Sequence, residues 1–386
     1  MKEQTKNFQI SSNEDLLISK FTQDLYNNQT KMTRKELWHY TSMQAVLSIF
    51  NSYITETNPE KKRRVSECSM LASNIRFLND AKEYDDGAEI YNKKQKEKSS
   101  SSPSSDFAEP GLADNIYLIS LCGDGDLLSQ WKWYGQKSGI SICFSPDNMR
   151  YKKYSYLDEN GNELQSNHGK REYFDDRLSP LKIHYKDSEK TAYFDDLESD
   201  VTTLRNEDII DDRAGEIVLQ SLFIPFCKDE SFSEEKESRL VFIKYKVPST
   251  GKYKAFFDIQ YRQSYDGKIK PALNVKIQYI KNKDDMCPPD ADGNIISKII
   301  VGPGIDQENI FNALIHIFDQ NNFRYHKQED DPSPDSQEAV AINQFAKELM
   351  YSDRNLHIVK YNKRSYVSYR CESGIVIMKS SIPFRG

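Results

Sequence analysis

The chain alternates between apolar runs of strand length and amphipathic stretches of helical period, with no internal repeat. Leu16, Leu17, Phe21 and Leu25 recur on one face of residues 13–28, which predicts a helix. The run "LWHYTS" predicts a short strand. A helix follows from about Ser42, with Met43, Val46, Leu47, Ile49 and Phe50 apolar and Ser42 as its N-cap. The stretch "SNIRFLNDAKEYDDGAEIYNKK" reads as a strand edge, a turn at Asn79-Asp80 and a helix. "NIYLISLC" and "GISICF" predict buried strands around a "GDGD" turn and a helix, "LLSQWKWYG", that closes on Gly135. Residues 147–210 are polar and tyrosine-rich and read as hairpins and a helix. An amphipathic helix is expected over 212–227, then a loop entering a strand in "KDESFSEEKESRLVFI". Strands at 253–259, 274–279 and 296–301 and a helix at 306–320 complete the main pattern, with a further helix at 338–350 and strands near 356–369.

There is no regular βαβ alternation, so the pattern predicts an α+β fold, with mixed, mainly antiparallel sheets flanked by helices. Residues 1–30 read as an N-terminal helical extension and 31–325 as the main α+β domain. Residues 326–386 read as a C-terminal extension packing on that domain. The tract at 92–110, "NKKQKEKSSSSPSSDFAEP", reads as a mobile low-complexity insertion.

Composition narrows the classes. Charged residues make up 29% of the chain and the net charge is −6, which argues against a general nucleic-acid-coating surface but not against a local basic groove. The 23 tyrosines and 19 phenylalanines suit sheets and half-wet pockets. No segment approaches the ~20 apolar residues that span a bilayer, and the N-terminus lacks the apolar core of a signal peptide. A cytoplasmic protein without membrane contact is expected. The six cysteines are scattered without a C-x-x-C pair, which points to free thiols. Neither cysteines nor histidines have zinc-site spacing, so no metal is expected.

Four short stretches carry candidate chemistry. In "LWHYTS", His39 and Tyr40 place hydrogen-bonding groups just before a helix; a histidine inside a strand is also often structural. "IRFLNDAKEYDDG" offers Arg76, Asn79, Asp80 and Glu83: Arg76 suits a phosphate and Asn79 the rim of a pocket, although Asn-Asp is ordinary turn chemistry. In "SQWKWYG", Trp131 and Tyr134 share a helical face by i,i+3, which suits either core packing or a stacking wall. In "EEKESRLVF", strand alternation would point Glu235, Glu237 and Arg239 to one side and Ser238, Leu240 and Phe242 to the other. That face is either a solvated, salt-bridged edge or a carboxylate held at the mouth of a cleft, with Arg239 orienting it or a ligand. A fixed carboxylate can stabilise an oxocarbenium-like centre as a glycosidic bond breaks.

The order of "LWHYTS", "RFLNDAKEYDDG", "ISLCGDGDLLSQWKWYGQKSGISICF", "KDESFSEEKESRLVF", "IIVGPG" and the closing "SSIPFR" resembles the bacterial domain-of-unknown-function family 2971. That family looks similar to the ADP-ribosyltransferase-like group, which splits NAD at the nicotinamide–ribose bond. The resemblance implies an ADP-ribosyltransferase-like core with insertions, NAD as substrate and no metal. By position it implies that His39 holds the ribose, that Trp131 and Tyr134 lie near nicotinamide and that Glu237 stabilises the ribosyl cation. Tyr40, Arg76, Asn79 and Arg239 complete the expected binding set. Glu234 and Glu235 lie close enough to Glu237 that sequence alone does not separate them. The acceptor would be protein, nucleic acid or water, the last making an NAD glycohydrolase. A toxin or phage-defence role and a regulatory partner fit such enzymes. A non-enzymatic nucleotide sensor would keep the pocket without the chemistry.

Overall fold

A computed structural model describes residues 36–58, 63–78, 82–98, 108, 111–134, 139–144, 149–156, 173–177, 180–244, 253–255, 259–263, 267–282, 295–320, 325–327, 356–361, 364–369 and 375–382. The helices predicted at 13–28 and 338–350 lie outside them, as do Asn79 and Asp80.

The first half of the chain contains β1 (Leu37–Ser42), α1 (Met43–Asn51), β2 (Ile54–Asn58), β3 (Arg63–Asn74), α2 (Glu83–Lys98), β4 (Ile116–Leu121), α3 (Leu128–Tyr134), β5 (Gly139–Phe144), β6 (Met149–Tyr156), β7 (Tyr173–Arg177) and β8 (Leu181–Lys182). The second half continues with α4 (Asp187–Asn206), α5 (Asp212–Phe223), β9 (Ser238–Ile243), β10 (Tyr253–Ala255), β11 (Ile259–Gln263), β12 (Ile269–Asn282), β13 (Ile296–Val301), α6 (Gln307–Gln320), β14 (Tyr325–Lys327), β15 (Leu356–Tyr361), β16 (Arg364–Tyr369) and β17 (Ile375–Lys379). The α+β class follows from this mixture. Two compact units interleave along the chain: the first takes Glu67–Asp124 and Pro146–Gln278, the second Trp38–Ser66, Gly125–Ser145 and Tyr279–Gly386.

In the first unit the sheet runs β10-β6-β12-β3-β4-β9-β8, with β7 pairing β6 and β11 pairing β12. The pairings resolved along it are antiparallel, for example Leu118 opposite Val241 and Arg150 opposite Arg177. Its core joins α2, α4 and α5 through Tyr91, Phe194, Leu197, Phe223 and Phe226, each buried to the point of exclusion from water. Each such side chain contributes roughly 1.5–3 kcal/mol of burial. Asp211 caps α5, its carboxylate accepting from Ala214 N at 2.7 Å. A Cβ on Gly87 would stand 2.7 Å from Ile224 O, so α2 needs glycine there to lie against the short 3-10 turn Ile224–Phe226.

The second unit's sheet runs β1-β5-β13-β17-β14. All six residues of β5 are buried, Ser141 among them, as the buried strand read from "GISICF" predicts. β13 lies antiparallel to β5, with Ile300 opposite Ser141, and parallel to β17, with Ile299 opposite Ile377. β14 is also parallel to β17, so this sheet departs from the mainly antiparallel expectation. A parallel neighbour needs a crossover, and α6 lies in the connection from β13. α6 turns Phe311, Leu314, Ile315 and Phe318 inward, and Phe318 meets Phe50 of α1 edge-on at 4.8 Å. Ser42 caps α1 as predicted, accepting from Ala45 N at 3.3 Å.

Two local expectations are overturned. Residues 92–98 are not part of a low-complexity insertion but the last turns of α2. Lys, Glu and Gln are strong helix formers, so the polar run continues the helix. The segment before β9 is not extended: Glu230–Glu235 is a 3-10 turn and Lys236 is left-handed, with φ 45° and ψ 45°. Strand alternation therefore does not govern Glu235 and Glu237.

Candidate functional site

The first unit holds a five-membered buried charge cluster. Its members come from the start of α2 (Glu83), the residue two past the Ile224–Phe226 turn (Lys228), the end of the next 3-10 turn (Glu235), the residue before β9 (Glu237) and β9 itself (Arg239). Arg239 donates from Nε to Glu237 Oε1 at 2.7 Å and from Nη2 to Glu83 Oε2 at 2.5 Å, while Nη1 donates to Pro225 O at 2.7 Å. Lys228 Nζ donates at 2.8 Å to both Glu235 Oε2 and Glu237 Oε2, and lies 3.2 Å from Glu83 Oε1. The guanidinium plane suits this forked contact in a way that a lysine could not. Glu237 and Arg239 are each 1% exposed.

The backbone sets the carboxylates in place. Glu237 N donates to Tyr185 Oη at 2.8 Å and Ile183 N donates to Glu237 O at 3.0 Å. Gly123 N donates to Glu235 O at 3.3 Å. Between these anchors the left-handed Lys236 turns the chain, a conformation that costs a non-glycine residue roughly 1–2 kcal/mol. Strain of this kind persists where surrounding contacts over-determine it.

The same burial acts oppositely on the two carboxylates. Burial alone would raise Glu237, but Arg239 and Lys228 outweigh it and hold the group ionised, at about 2. Burial dominates at Glu235, whose pKa is raised despite its bond to Lys228. Burial works against the charge of Lys228 and Arg239 too, and the surrounding carboxylates more than reverse it. With Glu235 ionised, three carboxylates face two cations; with Glu235 protonated, the five groups balance. Cys122, close to Glu237 and Glu235, is driven well up by burial and then by those charges, so it stays a thiol.

The second unit holds an aromatic group built around Asp126. Trp131 Nε1 donates to Asp126 Oδ1 at 2.8 Å, and the Trp131 ring meets Tyr40 edge-on at 4.7 Å. Leu127 N donates to Tyr40 Oη at 2.8 Å. Asp126 also receives Ser380 Oγ at 2.5 Å, Ser381 N at 2.9 Å and Ser381 Oγ at 3.0 Å, which ties down the chain leaving β17. Gly125 and Gly302 let the indoles of Trp38 and Trp131 lie directly on backbone: an added Cβ would come within 2.3 Å and 2.7 Å of those rings. Tyr40 and Trp131 are each 4% exposed, so the ring pair is packed core.

The predicted residues thus fall into two groups. Glu237 and Arg239 meet in the first unit, away from solvent, which corrects the reading of a solvated edge face. Arg76, exposed in the same unit, pairs with Asp114 at 3.0 Å and lies 5.2 Å over the Tyr84 ring. Tyr40 and Trp131 meet in the second unit, where His39 is half-exposed on β1. Tyr134 closes α3. Asn79 lies outside the described residues. Sequence reasoning offered Glu83 beside Arg76 but missed Lys228 and Asp126. Asp126 read as part of the "GDGD" turn.

A family model covers part of this set. Residues 130–240 match the family described as "Protein of unknown function (DUF2971)". The matched stretch opens beside Trp131 and closes just past Arg239. It therefore takes in Lys228, Glu235 and Glu237 as well. No curated protein and no solved structure matches the chain. Among the described residues, no helix is long and apolar enough to cross a membrane, and no group of three or more His, Cys, Asp or Glu side chains is placed to hold a metal.

Proposed function

We propose that the chain cleaves the nicotinamide–ribose bond of NAD and transfers the ADP-ribosyl group, as an ADP-ribosyltransferase. The observation that supports this is the opposed pair Glu235 and Glu237, bridged by Lys228 at 2.8 Å to each. Carboxylates whose environments drive their pKa values apart are the mark of divided acid–base labour, and glycosidic cleavage uses such a pair. Glu237, fixed as an anion, supplies permanent charge. Glu235, with its raised pKa and its side chain 13% exposed, is the member that reaches a substrate. Ionised, it leaves the cluster one negative charge in excess, which opposes the positive charge developing on the ribose. As a base it takes the proton of the incoming hydroxyl or water. Nicotinamide departs neutral and needs no acid. Water as acceptor makes the same site an NAD glycohydrolase.

A second reading rests on the complete occupation of Glu237. Both its oxygens are bonded to Arg239 or Lys228 and it is 1% exposed, which suits a structural tie in a nucleotide-binding protein without turnover. The two readings separate when nicotinamide release and NAD binding are measured on the same protein. Release that depends on Glu235 supports the enzyme. Binding without release supports the sensor.

A further inference from the structure

Tyr185 joins the charge cluster in a way that a regular strand ladder would not. β8 pairs antiparallel with β9, Leu181 opposite Arg239 and Lys182 opposite Ser238. One step further, Ile183 N donates to Glu237 O at 3.0 Å. A regular antiparallel pair would return that bond from Glu237 N to Ile183 O. Glu237 N instead donates to Tyr185 Oη at 2.8 Å. The phenol stands where a carbonyl would, and unlike a carbonyl it carries a proton of its own.

That proton has no acceptor among the described residues. Tyr185 is 6% exposed, and a buried donor that the chain leaves unmatched calls for a partner from outside it. Burial first, and then the charge of Glu237, keep the phenol protonated. The cations of the cluster have no such proton to offer. Lys228 directs its ammonium to Glu235, Glu237 and Glu83, and Arg239 directs its guanidinium to Glu237, Glu83 and Pro225. On the acceptor side Glu235 is the open member. Lys228 occupies its Oε2, while nothing among the described residues donates to its Oε1. Glu237, Lys228 and Glu235 all act electrostatically on Tyr185, so the two open groups share one neighbourhood.

We propose that Tyr185 and Glu235 form a binding site for a ligand hydroxyl of the kind a ribose carries. Tyr185 donates to the hydroxyl oxygen, and Glu235 Oε1 accepts the hydroxyl proton. A phosphate would be repelled by Glu235, and an ammonium could not accept from Tyr185. The inference rests on the reading of Glu235 as the member that reaches a substrate, and not on the cleavage of NAD.

The test is isothermal titration calorimetry of the full chain with ADP-ribose and with ADP. The probes share the adenosine diphosphate part, so the ratio of their affinities isolates the terminal ribose. The wild type is expected to bind ADP-ribose at least about tenfold more tightly than ADP. Tyr185→Phe and Glu235→Gln are each expected to cut that preference to about threefold or less, with affinity for ADP held within about twofold. In Glu235→Gln, Lys228 keeps the amide oxygen, so an NH2 donor replaces the Oε1 acceptor. A merely structural role of Tyr185 would weaken both probes alike. Urea midpoints report folding, and Glu235→Gln leaves the bond between Tyr185 and Glu237 in place if Tyr185→Phe does not fold. The proposal is overturned if the wild type shows no preference or no binding, if either folded variant keeps the preference, or if both probes weaken together. Nicotinamide release from NAD is followed on the same samples. A preference lost in the variants without release by the wild type leaves this inference standing and removes the cleavage reading. Release that depends on Glu235, with a preference that Tyr185→Phe leaves untouched, does the reverse.

Discussion

Arg239 Nη2 donates to Glu83 Oε2 at 2.5 Å, tying β9 to the first turn of α2 across 156 positions of sequence. Both side chains are buried, so the contact is made in a medium where an unpaired charge is expensive. Removing Arg239 leaves Glu83 and Glu237 facing each other with Lys228 as their only cation in the cluster. Arg239→Met is therefore expected to lower the unfolding free energy by about 3–5 kcal/mol, read from urea denaturation. Arg239→Lys is expected to recover only part of that, because an ammonium cannot reproduce the fork to Glu83, Glu237 and Pro225.

The cluster gives the stability curve two opposed acidic terms. The pKa of Glu237 is lowered in the fold, from 4.5 to about 2, so its contribution is fully present above about pH 4.5. It is lost as pH falls through about 2. The pKa of Glu235 is raised, so the fold favours its protonated form, and ionisation at neutral pH works against stability. Glu235→Gln should consequently be as stable as the wild type or more so at pH 7. Glu237→Gln should be less stable there, and its deficit should shrink as pH falls toward 2. Urea midpoints over pH 2–7 decide between these signs.

Asp126 holds three donors from the segment after β17 and one from Trp131. Asp126→Ala is expected to cost about 2 kcal/mol, the scale of lost hydrogen bonds to a charged acceptor at a half-buried site. The more specific readout is local: amide exchange at Ser381 and Ile382 should accelerate by tenfold or more, while the core of β5 keeps its protection.

Glycine is required under both indoles. Gly125→Ala places a methyl 2.3 Å from the Trp38 ring and Gly302→Ala places one 2.7 Å from Trp131. Each is expected to destabilise by roughly 1–3 kcal/mol through overpacking. Near-UV circular dichroism reports the displaced tryptophan directly.

Elements set by local chemistry were legible in the sequence. Ser42 as a cap, the buried runs of β4 and β5 and the helix over α6 each depend on residues a few positions apart, and each is found. Glu237 and Arg239 were singled out because charges stood against an apolar strand. Glu83 was offered as well, but not its pairing with Arg239, because no local pattern links residues 156 positions apart. The left-handed turn at Lys236 was also hidden, since lysine carries none of the signal that glycine or asparagine would. The end of α2 was misread because a lysine- and glutamate-rich helix and a low-complexity tract share a composition. Parallel pairing of β13 with β17 joins strands far apart in the chain and leaves no local trace.

The most direct test of the account is nicotinamide release from NAD by the wild type and by Glu235→Gln, both shown to be folded by their urea midpoints. The account predicts release by the wild type and a fall of about 100-fold or more in the variant, the scale of losing electrostatic stabilisation of a transition state. Absence of release from folded wild-type protein with NAD in excess would contradict it, as would release that Glu235→Gln leaves unchanged.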